Sequence, residues 1–166
     1  MSTPRITRLI PLLGLMPLIA APVTASAVPV VGGFYVGAGA TTTSFDAEDT
    51  DSRFGYRIYG GLDFANITPA LRLGLEGGFI QSGSFETEAG GSDRLNNRDL
   101  GLHGTLTVIP ALDLHARTGY EWGDSSGTIF ALGLSAPVLP LLRIRAEYQN
   151  RDEFDGYFLG LEVRTP

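Results

Sequence analysis

Between Leu112 and Trp122 the chain alternates without a break. Leu112, Leu114, Ala116, Thr118, Tyr120 and Trp122 share one parity; Asp113, His115, Arg117, Gly119 and Glu121 share the other. Successive strand residues point to opposite faces, so this stretch is a ribbon with one apolar and one charged side. Aliphatics ending in aromatics on one face, with charges and glycines on the other, suit a barrel wall standing in lipid. The apolar face then looks outward and the charged face into a narrow lumen.

Seven further ribbons follow the same rule. Their apolar parities begin at Phe34, Tyr56, Leu71, Leu100, Phe130, Leu142 and Tyr157. Eight is even, as closure of a single-chain antiparallel barrel usually requires. The expectation is an all-β fold, an eight-stranded antiparallel up-and-down transmembrane β-barrel. The connections alternate in character as well. Ile67-Thr68-Pro69, Ile109-Pro110-Ala111 and Pro137 to Pro140 read as tight, uncharged, proline-marked turns. Thr42 to Arg53, Ser82 to Asn97, Gly123 to Gly127 and Asn150 to Gly156 read as polar and mostly longer loops. In outer-membrane barrels the short turns are periplasmic and the loops face outward.

Address follows from the first residues. Arg5 and Arg8 precede an apolar run, Ile10 to Ala21, and a small-residue site at Ala25-Ser26-Ala27. That order is expected of a signal peptide over residues 1–27, with a barrel domain over 28–166. The run is broken by Pro11, Gly14 and Pro17 and is shorter than the roughly 20 residues of a spanning helix. Without the leader, ten basic residues face eighteen acidic ones, which argues against a nucleic-acid partner. Every basic residue is arginine, whose planar fork suits buried ion pairs. Cysteine is absent, so thiolate metal sites and disulfides are excluded.

On the inward parity, Arg57, Asp63, Arg72, Glu76, Arg117, Glu121, Arg143, Arg145, Glu147 and Glu162 form a candidate lumen ion-pair network. Registering each hairpin on its tight turn sets Asp63 opposite Arg72, Tyr59 opposite Glu76, Ser135 opposite Arg143 and Gly133 opposite Arg145. Across the last outer loop it sets Arg143 opposite Glu162 and Arg145 opposite Gly160. Asp99, Asp113 and Arg164 share that parity. On the outward parity, Tyr56, Phe79, Tyr120, Trp122, Phe130, Tyr148 and Tyr157 form a candidate aromatic girdle near the loop ends. Phe34 and Phe64 form a sparser one near the turns. The first loop is acidic, with Asp46, Glu48, Asp49 and Asp51. It lacks the ligand spacing of a calcium loop and reads as a solvated surface.

Residues pointing to other chemistry are few. His103 and His115 face the lumen on neighbouring strands, and a metal site there could recruit Asp99 or Asp113. With His103 opposite Arg117, hydrogen bonding is the favoured reading. A lipid hydrolase would need a base near its nucleophile, and Ser125 and Ser126 lie far along the strand from either histidine. Asn66-Ile67-Thr68 matches a glycosylation sequon but falls in a turn assigned to the periplasm. A soluble, lipocalin-like barrel is an alternative whose apolar parity would point inward.

Several short stretches resemble the OmpA-like outer-membrane β-barrel family: Phe34 to Gly39, Tyr59 to Phe64, Leu73 to Glu76, and Tyr157 to Arg164. The resemblance covers the barrel and has no counterpart of the peptidoglycan-binding domain that some relatives carry. It implies a monomeric, integral protein of a Gram-negative outer membrane. Its partners would be lipid, lipopolysaccharide and, during biogenesis, the barrel-assembly machinery and periplasmic chaperones. It implies no cofactor and no catalysis. The expected role is structural or one of surface contact, with a lipid-modifying enzyme or a narrow solute channel as alternatives.

Overall fold

A computed structural model describes residues 33–45, 53–86, 92–152 and 154–165. The chain is a closed barrel of eight antiparallel strands in sequence order. They are β1 (Phe34–Phe45), β2 (Arg53–Asn66), β3 (Leu71–Glu86), β4 (Ser92–Ile109), β5 (Leu112–Gly123), β6 (Gly127–Pro137), β7 (Leu142–Arg151) and β8 (Phe154–Arg164). β1 pairs with both β2 and β8, which closes the wall. No helix among the described residues is long and apolar enough to cross a membrane. The expected leader and the acidic residues Asp46, Glu48, Asp49 and Asp51 lie outside the described residues.

Alternation decides which way each side chain goes. Outward residues such as Val36, Leu102 and Leu159 are 62%, 56% and 57% exposed, while Arg57, Glu76, Arg145 and Glu162 are fully buried. A water-soluble globule shows the reverse, with aliphatics inside and charges outside. The interior is therefore the polar phase of this fold and the outer wall its apolar one. A lipocalin-like arrangement, apolar parity inward, is overturned by these exposures.

Two hairpins differ in register from the tight-turn reading. Between β2 and β3 the connection holds residues 67–70; Ile67 N–H and Thr68 N–H both donate to the Leu71 carbonyl. Between β6 and β7 it holds 138–141, and Val138 N–H and Leu139 N–H donate to Leu142 in the same way. Each is a four-residue turn with proline third, Pro69 or Pro140. A bulge between Asp63 and Ala65 adds an irregularity on β2. Together these place Asp63 opposite Gly74 and Glu76 opposite Gly61, not Arg72 and Tyr59. Likewise Ser135 lies opposite Arg145 and Gly133 opposite Glu147. Two other hairpins keep the expected pairing: Thr105 with His115 and His103 with Arg117, then Arg143 with Glu162 and Arg145 with Gly160.

The strands also run further than the polar stretches suggest. β3 continues to Glu86 and β4 begins at Ser92, within the stretch assigned to a loop. β7 reaches Arg151 and β8 starts at Phe154, so the Asn150 to Gly156 loop shrinks in the same way. Polarity there marks where the outer wall loses its apolar face, and the hydrogen-bonded ladder continues past that point.

Candidate functional site: the charged lumen

Glu76 on β3 is the hub of the interior. Arg57 Nη2 donates to its Oε1 at 3.0 Å, and Arg145 Nη1 and the Tyr35 hydroxyl donate to Oε2 at 2.7 and 3.0 Å. Arg117 Nε lies 3.3 Å from Oε1. Three guanidinium groups from β2, β5 and β7 thus meet on one carboxylate. Two of them also flank an aromatic ring: Arg57 and Arg145 lie 4.8 and 4.7 Å from the Tyr59 centroid. The delocalised, forked guanidinium serves both contacts at once, which an ammonium point charge does not.

Toward the loops, Asp99 accepts from Arg57 Nη2 at 3.0 Å and Arg117 Nη1 at 2.7 Å. Glu147 accepts from Arg145 Nε at 2.6 Å and from Gln149, which in turn accepts from Arg151. Arg151 Nη1 lies 3.4 Å from Glu121, beside Ser125 and Asn97. Toward the turns, Asp113 accepts from Arg72 at 3.0 Å and from Arg143 at 2.7 Å. Arg164 bridges Asp63 at 2.6 Å and Glu162 at 3.0 Å. Glu162 also accepts from Arg145 and from the Tyr59 hydroxyl. Every arginine in this description has a carboxylate partner, and every carboxylate an arginine.

All ten residues of the candidate network lie on the inner face. The structure links nine of them, directly or through Asp99, Asp113 and Arg164; Glu121 joins through Arg151. Arg72 and Asp63 approach only to 3.8 Å, because the register shift gives Arg72 to Asp113. The candidate set omitted Arg151, Tyr35 and Tyr59. For Arg151 the signal was present: it continues the Arg143, Arg145, Glu147, Gln149 parity, which the loop assignment cut short.

The histidines sit in the same interior. Tyr35 hydroxyl and His103 Nδ1 are 3.1 Å apart, His103 Nε2 and Thr105 Oγ1 3.0 Å, and Thr105 Oγ1 and His115 Nδ1 3.1 Å. Thr105 separates the two rings, and no group of three metal-ligating side chains is found among the described residues. Ser125 hydrogen-bonds to Asn97 and Glu121, with no histidine at hand.

Glycine leaves the space that these large side chains occupy. A Cβ on Gly61 would enter the Tyr35 ring and stand 2.6 Å from the Leu75 carbonyl oxygen; one on Gly37 would enter the Tyr59 ring. Gly61→Ala should therefore cost about 1–3 kcal/mol by overpacking, despite adding one methyl group. Urea unfolding of the protein in lipid vesicles checks this; a neutral result would mean that Tyr35 is free to swing away from Glu76.

On the outer wall, Tyr56, Tyr120, Trp122, Phe130, Tyr148 and Tyr157 are exposed and Phe79 is half-buried. Tyr148 and Tyr157 rings stand 5.5 Å apart, Tyr56 and Phe79 6.3 Å. Phe54 belongs to the same face at 75% exposure, immediately after the Thr42 to Arg53 stretch that reads as a loop.

With this geometry established, comparison with known proteins is direct. The profile of a family described as the outer membrane protein β-barrel domain matches residues 12–166. Ail, the attachment invasion locus protein of Yersinia pestis, has a similar fold: TM-score 0.57 and 16% identity over 81% of this chain and 99% of that one. A de novo designed transmembrane β-barrel gives 0.53 and 18%, over 81% and 97%. Neisserial surface protein A gives 0.50 and 18%, over 80% and 96%. At such identities the likeness is one of fold. No curated protein matches the sequence.

Proposed function

Because the chain belongs to the outer membrane protein β-barrel domain family, we propose that it is a small, non-conducting integral barrel of a Gram-negative outer membrane with a structural or surface-contact role. Within that wide family we place it beside the OmpA-like barrels, on the strength of the Phe34 to Gly39 and Tyr157 to Arg164 stretches. The short turns face the periplasm and the other end faces outward. There the rims and loops meet lipopolysaccharide, a host surface or neighbouring proteins. Two barrels of similar fold are named for attachment and for the cell surface, which agrees with this reading. The aromatic side chains of the outer wall serve as its interfacial belt. In this reading the protein is a monomer, uses assembly machinery and chaperones to insert, and has no catalytic role.

The observation that carries the proposal is the filled lumen. Eight strands enclose a space about as wide as the side chains that fill it, and here Arg57, Arg117, Arg145, Tyr35 and Phe158 are all at most 2% exposed inside it. Selective pores carry rings of one sign; this interior pairs each charge with its opposite. Purified protein in planar bilayers should give no steady single-channel steps. Reproducible open levels from wild-type protein would reject the plugged barrel.

A further inference from the structure

Hydrogen-bond direction through the buried histidine chain is fixed at one end. Glu76 accepts from Arg57 and Arg145 at 3.0 and 2.7 Å, so its carboxylate is an acceptor only. The single proton of the Tyr35 hydroxyl therefore goes to Glu76 Oε2, 3.0 Å away. Toward His103 Nδ1, at 3.1 Å, Tyr35 offers a lone pair, and Nδ1 carries the hydrogen. A neutral His103 then has a bare Nε2, which accepts from Thr105 Oγ1 at 3.0 Å. Having given its one proton, Thr105 accepts in turn from His115 Nδ1 at 3.1 Å. His115 is left with a bare Nε2, a buried atom with no hydrogen-bond partner among the described residues. Asp63 Oδ1 is a second such acceptor, and it lies 3.5 Å from His103 Nε2. Buried acceptors without partners are uncommon, and each asks for a reason.

We propose that the lumen contains a one-proton relay, which takes a proton at His115 Nε2 and holds it on His103 against Asp63. An N–H bond forms at His115 Nε2, and Nδ1 releases its hydrogen to Thr105 Oγ1. The proton that Thr105 carried passes to His103 Nε2. The net change is one proton: His115 ends neutral with its hydrogen moved from Nδ1 to Nε2, and His103 becomes an imidazolium beside Asp63 Oδ1. The charge rests on the ring that has a carboxylate to meet it. Arg72 and Arg117 face the chain from β3 and β5, and Arg145 and Arg164 from β7 and β8. Each has a carboxylate of its own: Asp113, Asp99, Glu147 with Glu162, and Glu162. Arg164 also takes Asp63 Oδ2, which leaves Oδ1 for the imidazolium. β6 presents Gly133 opposite His115, backed by Glu147 on β7. Protons enter from the turn side. Asp113 is the next inward residue of β5 in that direction, and its partners Arg72 and Arg143 have side chains 26% and 16% exposed. At the loop end the corresponding figure for Arg151 is 4%.

His103 and His115 are the only histidines of the chain, so their ring signals can be read without interference. The full chain, isotope-labelled at the histidine ring nitrogens, is folded into phosphatidylcholine nanodiscs and followed by NMR during acidification. His115→Gln assigns the signals. In the neutral barrel both rings should carry hydrogen on Nδ1 and none on Nε2. Acidification should then give one transition shared by both rings. In it His103 gains a second N–H, while His115 moves its hydrogen to Nε2 and stays uncharged. Thr105→Val, near-isosteric but without the hydroxyl, should abolish the change at His115; Thr105→Ser should keep it. Asp63→Asn should lower the pH of the transition by about one unit or more, the scale of a lost opposite charge at contact. Circular dichroism establishes that each variant is folded, and Asp63→Asn serves if Thr105→Val does not fold. Hydrogen on His115 Nε2 in the neutral barrel, or rings that stay neutral until the barrel unfolds, would overturn the relay. So would a shared transition that survives Thr105→Val, or one that Asp63→Asn leaves in place. These ring states depend neither on conductance nor on surface contact, so the relay and the role proposed above fail separately.

Discussion

Glu76→Leu is expected to destabilise the barrel by about 3–5 kcal/mol, the largest single-residue effect outside backbone disruption. The carboxylate accepts from Arg57, Arg145 and Tyr35 and lies beside Arg117, with nothing of it open to solvent. Its removal leaves the interior with one positive charge in excess where water cannot screen it. The three arginines keep other partners: Asp99 for Arg57 and Arg117, and Glu147 and Glu162 for Arg145. That redistribution holds the cost toward the lower end of the range. A double change, Glu76→Leu with Arg145→Leu, restores neutrality and should cost less than the sum of its singles. Reversible urea unfolding in vesicles, followed by Trp122 fluorescence, measures both. A double variant that costs as much as the sum, or more, would mean that the Glu76–Arg145 pair does not stabilise the barrel as a unit.

Register, not parity, makes Glu76 the hub. Period-two alternation assigned each interior residue to its face because a strand allows only two directions, and one wrong step would send arginine into the wall. Parity treats all inward acids alike, however. Which of them becomes a hub depends on register, and register depends on turn length. The pairing of β4 with β5 is the one centred on Pro110, which the two-residue connection Pro110-Ala111 reaches through a bulge between Thr107 and Ile109. The turn after β2 holds residues 67–70 and the turn after β6 holds 138–141, so each ends one residue later than its proline-marked stretch, and the bulge near Phe64 shifts the β2–β3 register back by one. None of these has a distinct side-chain signature. Arg151 and Phe54 were missed for a related reason. They occupy strand ends beyond the apolar band, where hydrophobic periodicity fades while backbone pairing persists.

The residue before Glu76 gives the complementary test. Leu75 points the other way, is 40% exposed, and lies opposite Leu62 on β2 and Leu102 on β4. It is the midpoint of the outward row Leu71, Leu73, Leu75, Gly77 and Phe79, which puts it near the bilayer centre. Leu75→Arg should cost about 2–4 kcal/mol, the penalty for a cation at the midplane of a barrel's lipid face. Val138→Arg, in the exposed turn 138–141, should cost about 0–1 kcal/mol, since there the side chain reaches headgroups or water. In a soluble barrel both arginines would meet water, and the two costs would converge. Folding titrations into vesicles of increasing chain length sharpen the contrast. A thicker hydrocarbon layer should leave Val138→Arg nearly unchanged and keep Leu75→Arg at its full cost. Equal penalties at the two positions would remove lipid from the outer wall. The opposite demands of Leu75 and Glu76, one bond apart in the chain, would then lose their physical cause.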